Sequence, residues 1–289
     1  MNVNQNELMI IDSLFNRTLA GDYDDDAPWE AVRELQSIAS REVLQRAVEW
    51  CRSENPLKRA RGADVLAQIG KTFEHQSNKY PQESYSAVSE LAASENEILP
   101  LKSAIYALGH IGNPRAVPIL VEHSRSNDPE LREALAFACG CFPEEKDSLD
   151  VLLILMTDCD EDVRDWATFA VGTLSETDSP EIRAALALAL RDPHEDVRRE
   201  AITGLAKRGD VRAFPPLIAL FRKSPNDPLA LEAAGWFLGK SGNEPEDEPS
   251  VTLQALERRF ASMHLASLGG SDPMAKAAPR RRPKLTLQR

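Results

Sequence analysis

Apolar and polar positions along the middle of the chain repeat with a period of just over 30 residues. Residues 160–167 and 194–201 read DEDVRDWA and HEDVRREA, which places Arg164 and Arg198 34 residues apart. With that arginine taken as position zero, the spacings between successive units are 42, 31, 32, 34 and 33 residues. This period is typical of repeated helical hairpins. The anchor positions are Arg59, Leu101, Arg132, Arg164, Arg198 and Leu231.

The positions that follow each anchor predict an amphipathic helix. Position +7 is apolar throughout, and position +8 is always alanine or glycine. Apolar residues at +3, +4 and +7 form one helical face, and small residues at +8 fit a close approach of two helices. The +8 residues are Ala67, Gly109, Gly140, Gly172, Ala206 and Gly239.

A turn and a preceding helix complete each unit. Runs such as 149–155 and 184–190 are apolar and helix-like, and Asp or Asn with Pro separates them from the anchored helix. These residues favour a capped helix start with proline in the first turn. The predicted turns are Asn127-Asp128-Pro129, Asp158-Cys159-Asp160, Asp192-Pro193 and Asn226-Asp227-Pro228.

The Asp-Pro turns, the Val-Arg pairs at 163–164 and 197–198 and the Ala/Leu/Gly columns resemble the HEAT repeat, in its short bacterial form named after phycobilisome lyases. The resemblance covers residues 54–242 and implies an all-α, right-handed solenoid of antiparallel helical hairpins. We expect residues 1–53 to form an N-terminal helical cap, with helices over 5–20 and 28–52. Residues 243–268 are expected to contain a capping helix over 251–267, and residues 269–289 to be a disordered basic tail.

Composition narrows the classes of protein that fit this pattern. The net charge is −12 and only 17 residues are aromatic. Residues 272–289 carry six basic side chains and one acidic one, so residues 1–271 have a net charge of −17. We therefore expect the repeats not to bind nucleic acid. No membrane-spanning run and no basic leader are visible, and four cysteines fit a reducing compartment, so we expect a cytoplasmic protein.

The usual signatures of chemistry are weak. Cys139, Cys141, Cys159 and His123 lack the paired spacing of a zinc site, and the single His194-Glu195 pair cannot complete a di-iron site. Phosphate-loop and nucleophile-elbow motifs are absent from the sequence. We expect no catalytic residues, no metal and no cofactor.

Aromatic residues at position +5 are the strongest functional signal. In this repeat family, positions +1, +5 and +9 of the second helix lie toward solvent, on the side expected to be concave. Four of the six +5 residues are aromatic, and Trp166 at +2 is adjacent. Such a surface, flanked by charged +1 residues, favours a groove that binds a protein partner. An alternative is that the rings pack between adjacent helices. The candidate contact residues are Tyr106, Phe137, Trp166, Phe169 and Trp236, with Glu133, Asp165, Arg199 and Glu232.

Two further charged patterns have structural interpretations. Arginines at the anchor are expected to join neighbouring repeats through aspartates, and the predicted ladder is Arg132, Arg164, Arg198, Asp128, Asp162 and Asp196. The Arg280–Lys284 cluster in the tail fits a solvated segment, a tether to nucleic acid or an acidic surface, or a contact with the acidic body.

The sequence therefore predicts a non-catalytic interaction scaffold with a protein partner. Two alternatives stay open: a bilin-lyase-like protein or chaperone that holds a chromophore in the same groove, and a nucleic-acid-associated protein that acts through its tail. The oligomeric state is not indicated.

Overall fold

The computed structural model describes residues 5–239 and 249–268, and every regular element within them is helical. The tail from residue 269 and the segment 240–248 lie outside the described residues, so the expectations for them stay predictions. The α-helices are α1 (Gln5–Arg17), α2 (Asp26–Ile38), α3 (Arg41–Trp50), α4 (Pro56–Ala67), α5 (Pro81–Ser94), α6 (Ile98–Ile111), α7 (Val117–His123), α8 (Pro129–Gly140), α9 (Lys146–Leu155), α10 (Glu161–Phe169), α11 (Pro180–Ala189), α12 (Glu195–Lys207), α13 (Phe214–Lys223), α14 (Pro228–Leu238) and α15 (Pro249–Leu268).

The chain divides into two compact units, and the boundary falls within α9. Unit 1 comprises Met1–Val151 and unit 2 comprises Leu152–Arg289. The second helices of the hairpins pack against one another, α4 on α6 and α6 on α8 in unit 1, and α10 on α12 and α12 on α14 in unit 2. These second helices are the six anchored helices that the repeat predicts.

Most of the predicted turns cap the second helices. The side chain of Asp160 accepts hydrogen bonds from the backbone N–H groups of Asp162 and Val163 at the start of α10. Asp128 and Asp227 do the same for α8 and α14, each with proline in the first turn. Such caps satisfy N–H groups that have no partner within the helix, so the local sequence fixes where these helices begin.

Small residues allow the second helices to approach closely. A Cβ added to Gly109 would lie 2.9 Å from the Cα of Ala138, and one added to Gly204 would lie 2.6 Å from the Cα of Gly172. The expectation for position +8 is therefore confirmed at Gly109 and Gly172. Gly239 serves a different purpose: its φ of 69° is in the left-handed region, and it ends α14.

The N-terminal region contains one more helix than expected. Residues 28–52 form α2 and α3 rather than a single helix, because Ala39 adopts a left-handed φ of 43°. The hydroxyl of Ser40 then accepts a hydrogen bond from the N–H of Val43 and caps α3. The predicted first helix is also shorter, since α1 ends at Arg17.

Candidate partner-binding surface

We call positions +1, +5 and +9 of the second helices, together with Trp166 at +2, the second-helix stripe. Most of these residues are half-buried in the part of the chain that the structure describes, whereas Asp64, Phe137 and Thr203 are buried. In α6, between Leu101 and His110, the residues Lys102, Tyr106 and His110 are half-buried and all others are buried. Their spacing of four residues places them on one side of the helix. The stripe expected from the sequence is therefore the side of α6 that reaches solvent.

Three rings meet on the stripe of unit 1. The Phe137 ring centroid lies 5.2 Å from that of Tyr106 and 4.8 Å from that of His110. Phe137 is only 7% exposed, so the packing interpretation describes this residue. Tyr106 and His110 are half-buried, so part of each ring is exposed to solvent.

The side chains of Tyr106 and His110 are both uncharged at neutral pH. Burial, followed by the positive charge of Lys71, lowers the pKa of His110 to about 4. Burial, with the nearby carboxylates of Glu133 and Glu130, raises the pKa of Tyr106. The Lys102 ammonium lies 2.5 Å from a Glu130 carboxylate oxygen, so the cation on this part of the stripe is already paired.

The loop between α4 and α5 adds an exposed ring beside this surface. The Nζ of Lys71 donates a 2.6 Å hydrogen bond to the carbonyl of His110, which attaches the loop to the end of α6. Two residues later Phe73 is 95% exposed. Backbone and hydroxyl bonds between Thr72 and His75 close the turn that presents it.

The N-terminal segment covers the stripe of α4. The Tyr23 hydroxyl donates a 2.9 Å hydrogen bond to the buried carboxylate of Asp64 and lies 2.8 Å from the hydroxyl of Ser103 on α6. Burial is the main reason that the pKa of Asp64 rises to about 6, although Arg61 and Tyr23 oppose it. Tyr23 therefore bonds to both α4 and α6, although it lies 41 residues from Asp64 and 80 residues from Ser103 in the sequence. The repeat does not predict these contacts.

A fully buried arginine holds that segment in place. Arg61 donates to the carbonyls of Thr18 at 2.9 Å and Tyr23 at 2.6 Å. Its guanidinium lies 4.0 Å from the ring centroid of Tyr23 and 4.9 Å from that of Trp29. The repeat pattern does not reveal this cluster; its signal in the sequence is the pair of opposite charges three residues apart on α4, Arg61 and Asp64.

The stripe of unit 2 carries the other candidate aromatics. Trp166 and Phe169 on α10 are half-buried, with ring centroids 6.1 Å apart in an edge-on arrangement, and Trp236 on α14 is also half-buried. Asp165 and Glu232 are half-buried at position +1.

The remaining +1 and +5 residues of unit 2 are engaged within the unit. The guanidinium of Arg199 bonds to Asp196 at 3.0 Å and also to Asp227. Thr203, at position +5, is buried. Arg199 is therefore bonded to Asp196 and Asp227, and the aromatic residues provide most of the contact surface predicted in unit 2.

The anchor arginines share one contact that the sequence did not specify. In each, one terminal nitrogen donates to the carbonyls six and five residues earlier, which belong to the turn before the same helix. These bonds are 2.7–3.2 Å long for Arg59, Arg132, Arg164 and Arg198.

The acids that join neighbouring repeats differ from those expected. Arg164 binds both carboxylate oxygens of Asp192, at 2.7 and 3.0 Å, and Arg59 binds Glu95 in the same way. Each acid lies six residues before the next anchor, in the turn that precedes the next second helix. The Nε and the second terminal nitrogen of the arginine face that turn. The aspartates of the predicted ladder lie elsewhere: Asp128 caps α8, Asp162 is exposed, and Asp196 bonds to Arg199.

The thiol on α8 belongs to the core rather than to this surface. Cys139 is fully buried, and burial raises its thiol pKa to about 12. In the part of the chain that the structure describes, no three His, Cys, Asp or Glu side chains gather as metal ligands would. Across residues 5–239 and 249–268, no helix combines the length and apolarity needed to span a bilayer.

Comparison with known proteins identifies the repeat. A family model described as HEAT repeats matches residues 85–172, 149–235 and 182–264. The chain is also similar to Protein YibA of Escherichia coli K12, with 29% identity over 238 residues that cover 80% of this chain and 82% of YibA.

Solved structures agree on the fold. The X-ray structure of Escherichia coli YibA matches with a TM-score of 0.64 and 23% identity, over 90% of this chain and 98% of that one. The crystal structure of an engineered protein matches with a TM-score of 0.55 and 18% identity, over 87% and 78%. The fold is an all-α solenoid of helical hairpins.

Proposed function

The chain belongs to the HEAT-repeat family, and we propose that it is a non-catalytic scaffold that binds a partner protein through the second-helix stripe. This is the face expected to be concave. The observation that carries the proposal is the set of half-buried aromatic rings at positions where a repeat helix faces solvent: Tyr106 in unit 1, and Trp166, Phe169 and Trp236 in unit 2.

Aromatic side chains in such positions favour binding because they lose little conformational entropy and expose a large apolar area that a partner covers. Charged residues such as Glu133 and Glu232 lie at +1, next to the rings along each helix. An apolar centre with a charged edge is the usual composition of a protein interface.

The protonation states on the stripe support binding rather than proton transfer. His110, with a pKa of about 4, is a weak proton acceptor at pH 7. The raised pKa of Tyr106 keeps its phenol protonated. Both side chains therefore offer ring surface and hydrogen bonds to a bound segment.

The proposal predicts that truncating exposed stripe rings weakens partner capture without unfolding the protein. We expect Tyr106→Ala, and separately Trp166→Ala, to reduce partner recovery from a lysate of the source organism at least tenfold, because each removes an apolar anchor worth about 1.4 kcal/mol or more. Recovery is measured by quantitative mass spectrometry on immobilised full-length protein.

Matched controls are available on the first helices. Ile154 and Leu188 are 62% and 61% exposed, so Ile154→Ala and Leu188→Ala remove similar apolar surface away from the stripe. They should leave recovery unchanged. Equal loss with the control variants, or full recovery with both stripe variants, would contradict the proposal.

The double variant Phe137→Ala plus Phe169→Ala tests the same surface less cleanly. Phe137 is nearly buried against Tyr106 and His110, so its truncation also removes packing. We expect weaker capture, retained helical circular dichroism and a lower melting temperature. Loss of the helical signal would assign these rings to the core alone.

A further inference from the structure

We propose that the second-helix stripe of unit 1 binds a basic segment of the partner protein, in which lysine or arginine residues accompany an apolar one. The inference rests on the proposed function and adds the chemical class of the occupant. The supporting observations are the charges and the aromatic rings at one end of this stripe.

Carboxylates gather where the stripe of unit 1 begins. Tyr23 is fixed to Asp64 and Ser103, so its neighbours in the chain lie beside α4 and α6. Among these neighbours, Asp22, Asp24 and Asp26 are exposed. Residues 1–151 contain 25 acidic and 15 basic side chains, so the wider surroundings are also negative.

Positive charge on the same stripe is scarce. His110 is uncharged at neutral pH, and the ammonium of Lys102 is paired with Glu130. Lys71 donates to the carbonyl of His110, and burial lowers its pKa. A cationic segment would therefore meet carboxylates and neutral rings with little repulsion.

The rings at this end already hold cations within the protein. Arg61 lies against the faces of Tyr23 and Trp29, and the Nζ of Lys102 is 6.0 Å from the Tyr23 ring centroid. These contacts show that the local geometry suits guanidinium and ammonium groups next to aromatic faces.

An apolar residue of the bound segment would contact the aromatic rings on α6. Tyr106 and His110 expose ring surface on α6, and Phe137 on α8 lies behind them. Neighbouring helices are about 10 Å apart, and an extended chain rises about 3.3 Å per residue. Every third residue of a bound segment would then meet the next helix, so about six residues would reach from the N-terminal segment that covers α4 to α8.

The test uses the full chain and a fluorescein-labelled peptide that copies residues 276–289, which contain six basic residues, no acidic residue and two leucines. Binding is followed by fluorescence anisotropy at low and high salt. The variant Asp22→Asn/Asp24→Asn/Asp26→Asn removes three charges beside the stripe. Asp25 is retained because its carboxylate accepts a 2.9 Å bond from the N–H of Asp22.

A control with the same net charge separates local from global electrostatics. Glu122, Glu145 and Asp147 are exposed on or beside the first helices α7 and α9, and Glu122→Gln/Glu145→Gln/Asp147→Asn removes three charges there. We expect the stripe variant to bind at least fivefold more weakly with a flatter salt dependence, and the control to stay within twofold of the unaltered chain.

Two outcomes overturn the inference: equal weakening in both triple variants, or no measurable binding by the unaltered chain. Failure of the proposed function is distinguishable. If Tyr106→Ala abolishes capture of the natural partner while neither triple variant affects it, the stripe binds a partner but that partner is not basic. If Tyr106→Ala and Trp166→Ala leave capture unchanged, the stripe itself is the wrong surface.

Discussion

Two aspartates show how the same carboxylate acquires opposite pKa shifts in this fold. Asp64 is buried, and the cost of removing its charge from water raises its pKa to about 6 despite the Arg61 cation. Burial also acts on Asp192, but hydrogen bonds from Arg164 and from the His194 N–H outweigh it and leave the pKa below its usual value. The two residues therefore respond to pH in opposite directions.

We predict that Asp64 destabilises the protein as pH rises from about 4 to 6. In this window the folded state, with its pKa near 6, binds a proton that the unfolded state, with a pKa near 3.8, has released. The free energy of unfolding contributed by Asp64 is therefore present at pH 4 and lost above pH 6. Urea unfolding of the unaltered chain and of Asp64→Asn, from about pH 3 to 8, measures the difference.

Asp192→Asn is the matched control for that titration. The lowered pKa of Asp192 means that its stabilising contribution is present at pH 6 and disappears as pH falls below about 4. A stability difference between the unaltered chain and Asp64→Asn that stays constant with pH, or follows the same direction as Asp192→Asn, would contradict the assignment for Asp64.

The repeated positions in the sequence predicted that the anchor arginines are structural, but not which groups each arginine bonds to. Arg132, Arg164 and Arg198 were recognised as structural, yet the acid paired with Arg164 lies at Asp192 rather than in the predicted aspartate column. The reason is geometric. One guanidinium nitrogen turns back to the carbonyls of its own turn, which aims the other two at the turn of the next repeat.

At the scale of helices, close packing depends on residues without side chains. The Cα atoms of Gly172 and Gly204 face each other where α12 meets the π-helical turn Ala170–Leu174 that follows α10. That turn is held by Arg208, which donates to the carbonyls of Val171 and Gly172 at 2.8 and 2.9 Å. A methyl group at either glycine would push these backbones apart.

We expect Gly204→Ala to lower the free energy of unfolding by about 1–3 kcal/mol, because the new Cβ would lie 2.6 Å from backbone that cannot move alone. Urea denaturation measures the change. Leu188→Ala on the exposed side of α11 is the control and should change stability by less than about 0.5 kcal/mol. Stability equal to or above that of the unaltered chain would show that the helices separate at no cost.

Helix boundaries could be predicted where the sequence supplies a cap, and not where the backbone alone breaks the helix. Asp128, Asp160 and Asp227 each accept bonds from the first turn of a second helix, as the predicted turns indicate. The break between α2 and α3 has no glycine or proline. Ser40 caps α3, but α2 ends because Ala39 adopts a left-handed conformation, which alanine disfavours and which the residue types therefore do not indicate.

At the scale of the whole molecule, the chain forms two compact units, and repeats pack on their neighbours within each unit. Stability in such chains is close to a sum of local and nearest-neighbour contributions. A defect in one unit should therefore loosen the helices around it more than those of the other unit.

Leu108 and Leu205 test this expectation, since both occupy position +7 and both are fully buried. We predict that Leu108→Ala increases hydrogen exchange in α4, α6 and α8, and that Leu205→Ala does so in α10, α12 and α14, each at a cost of about 2–5 kcal/mol. Mass spectrometry of peptic fragments localises the effect. A uniform increase along the chain for either variant would mean that it unfolds as one cooperative body.

The candidate surface was predictable only as far as the repeat extends. Periodicity placed Tyr106, Phe169 and Trp236 on the solvent side of their helices, with Trp166 adjacent, and all four are half-buried. The acidic end of the stripe depends on Tyr23 bonding to Ser103, a contact between residues 80 positions apart. No local pattern encodes such a contact, because the N-terminal segment lies outside the repeat.

The anchor arginines have a consequence for how this chain lengthens or shortens over generations. Arg164 bonds backward to its own turn and forward to the acid of the next, and Arg59 does the same. A duplicated unit with this layout carries its own donor and its own acceptor. Placed beside a unit that has the same arginine and the same acid, it would form these bonds without any further substitution. We expect that gain or loss of such a unit would leave these bonds between neighbouring repeats intact, so the number of units could change more easily than the arginine and acid that join them.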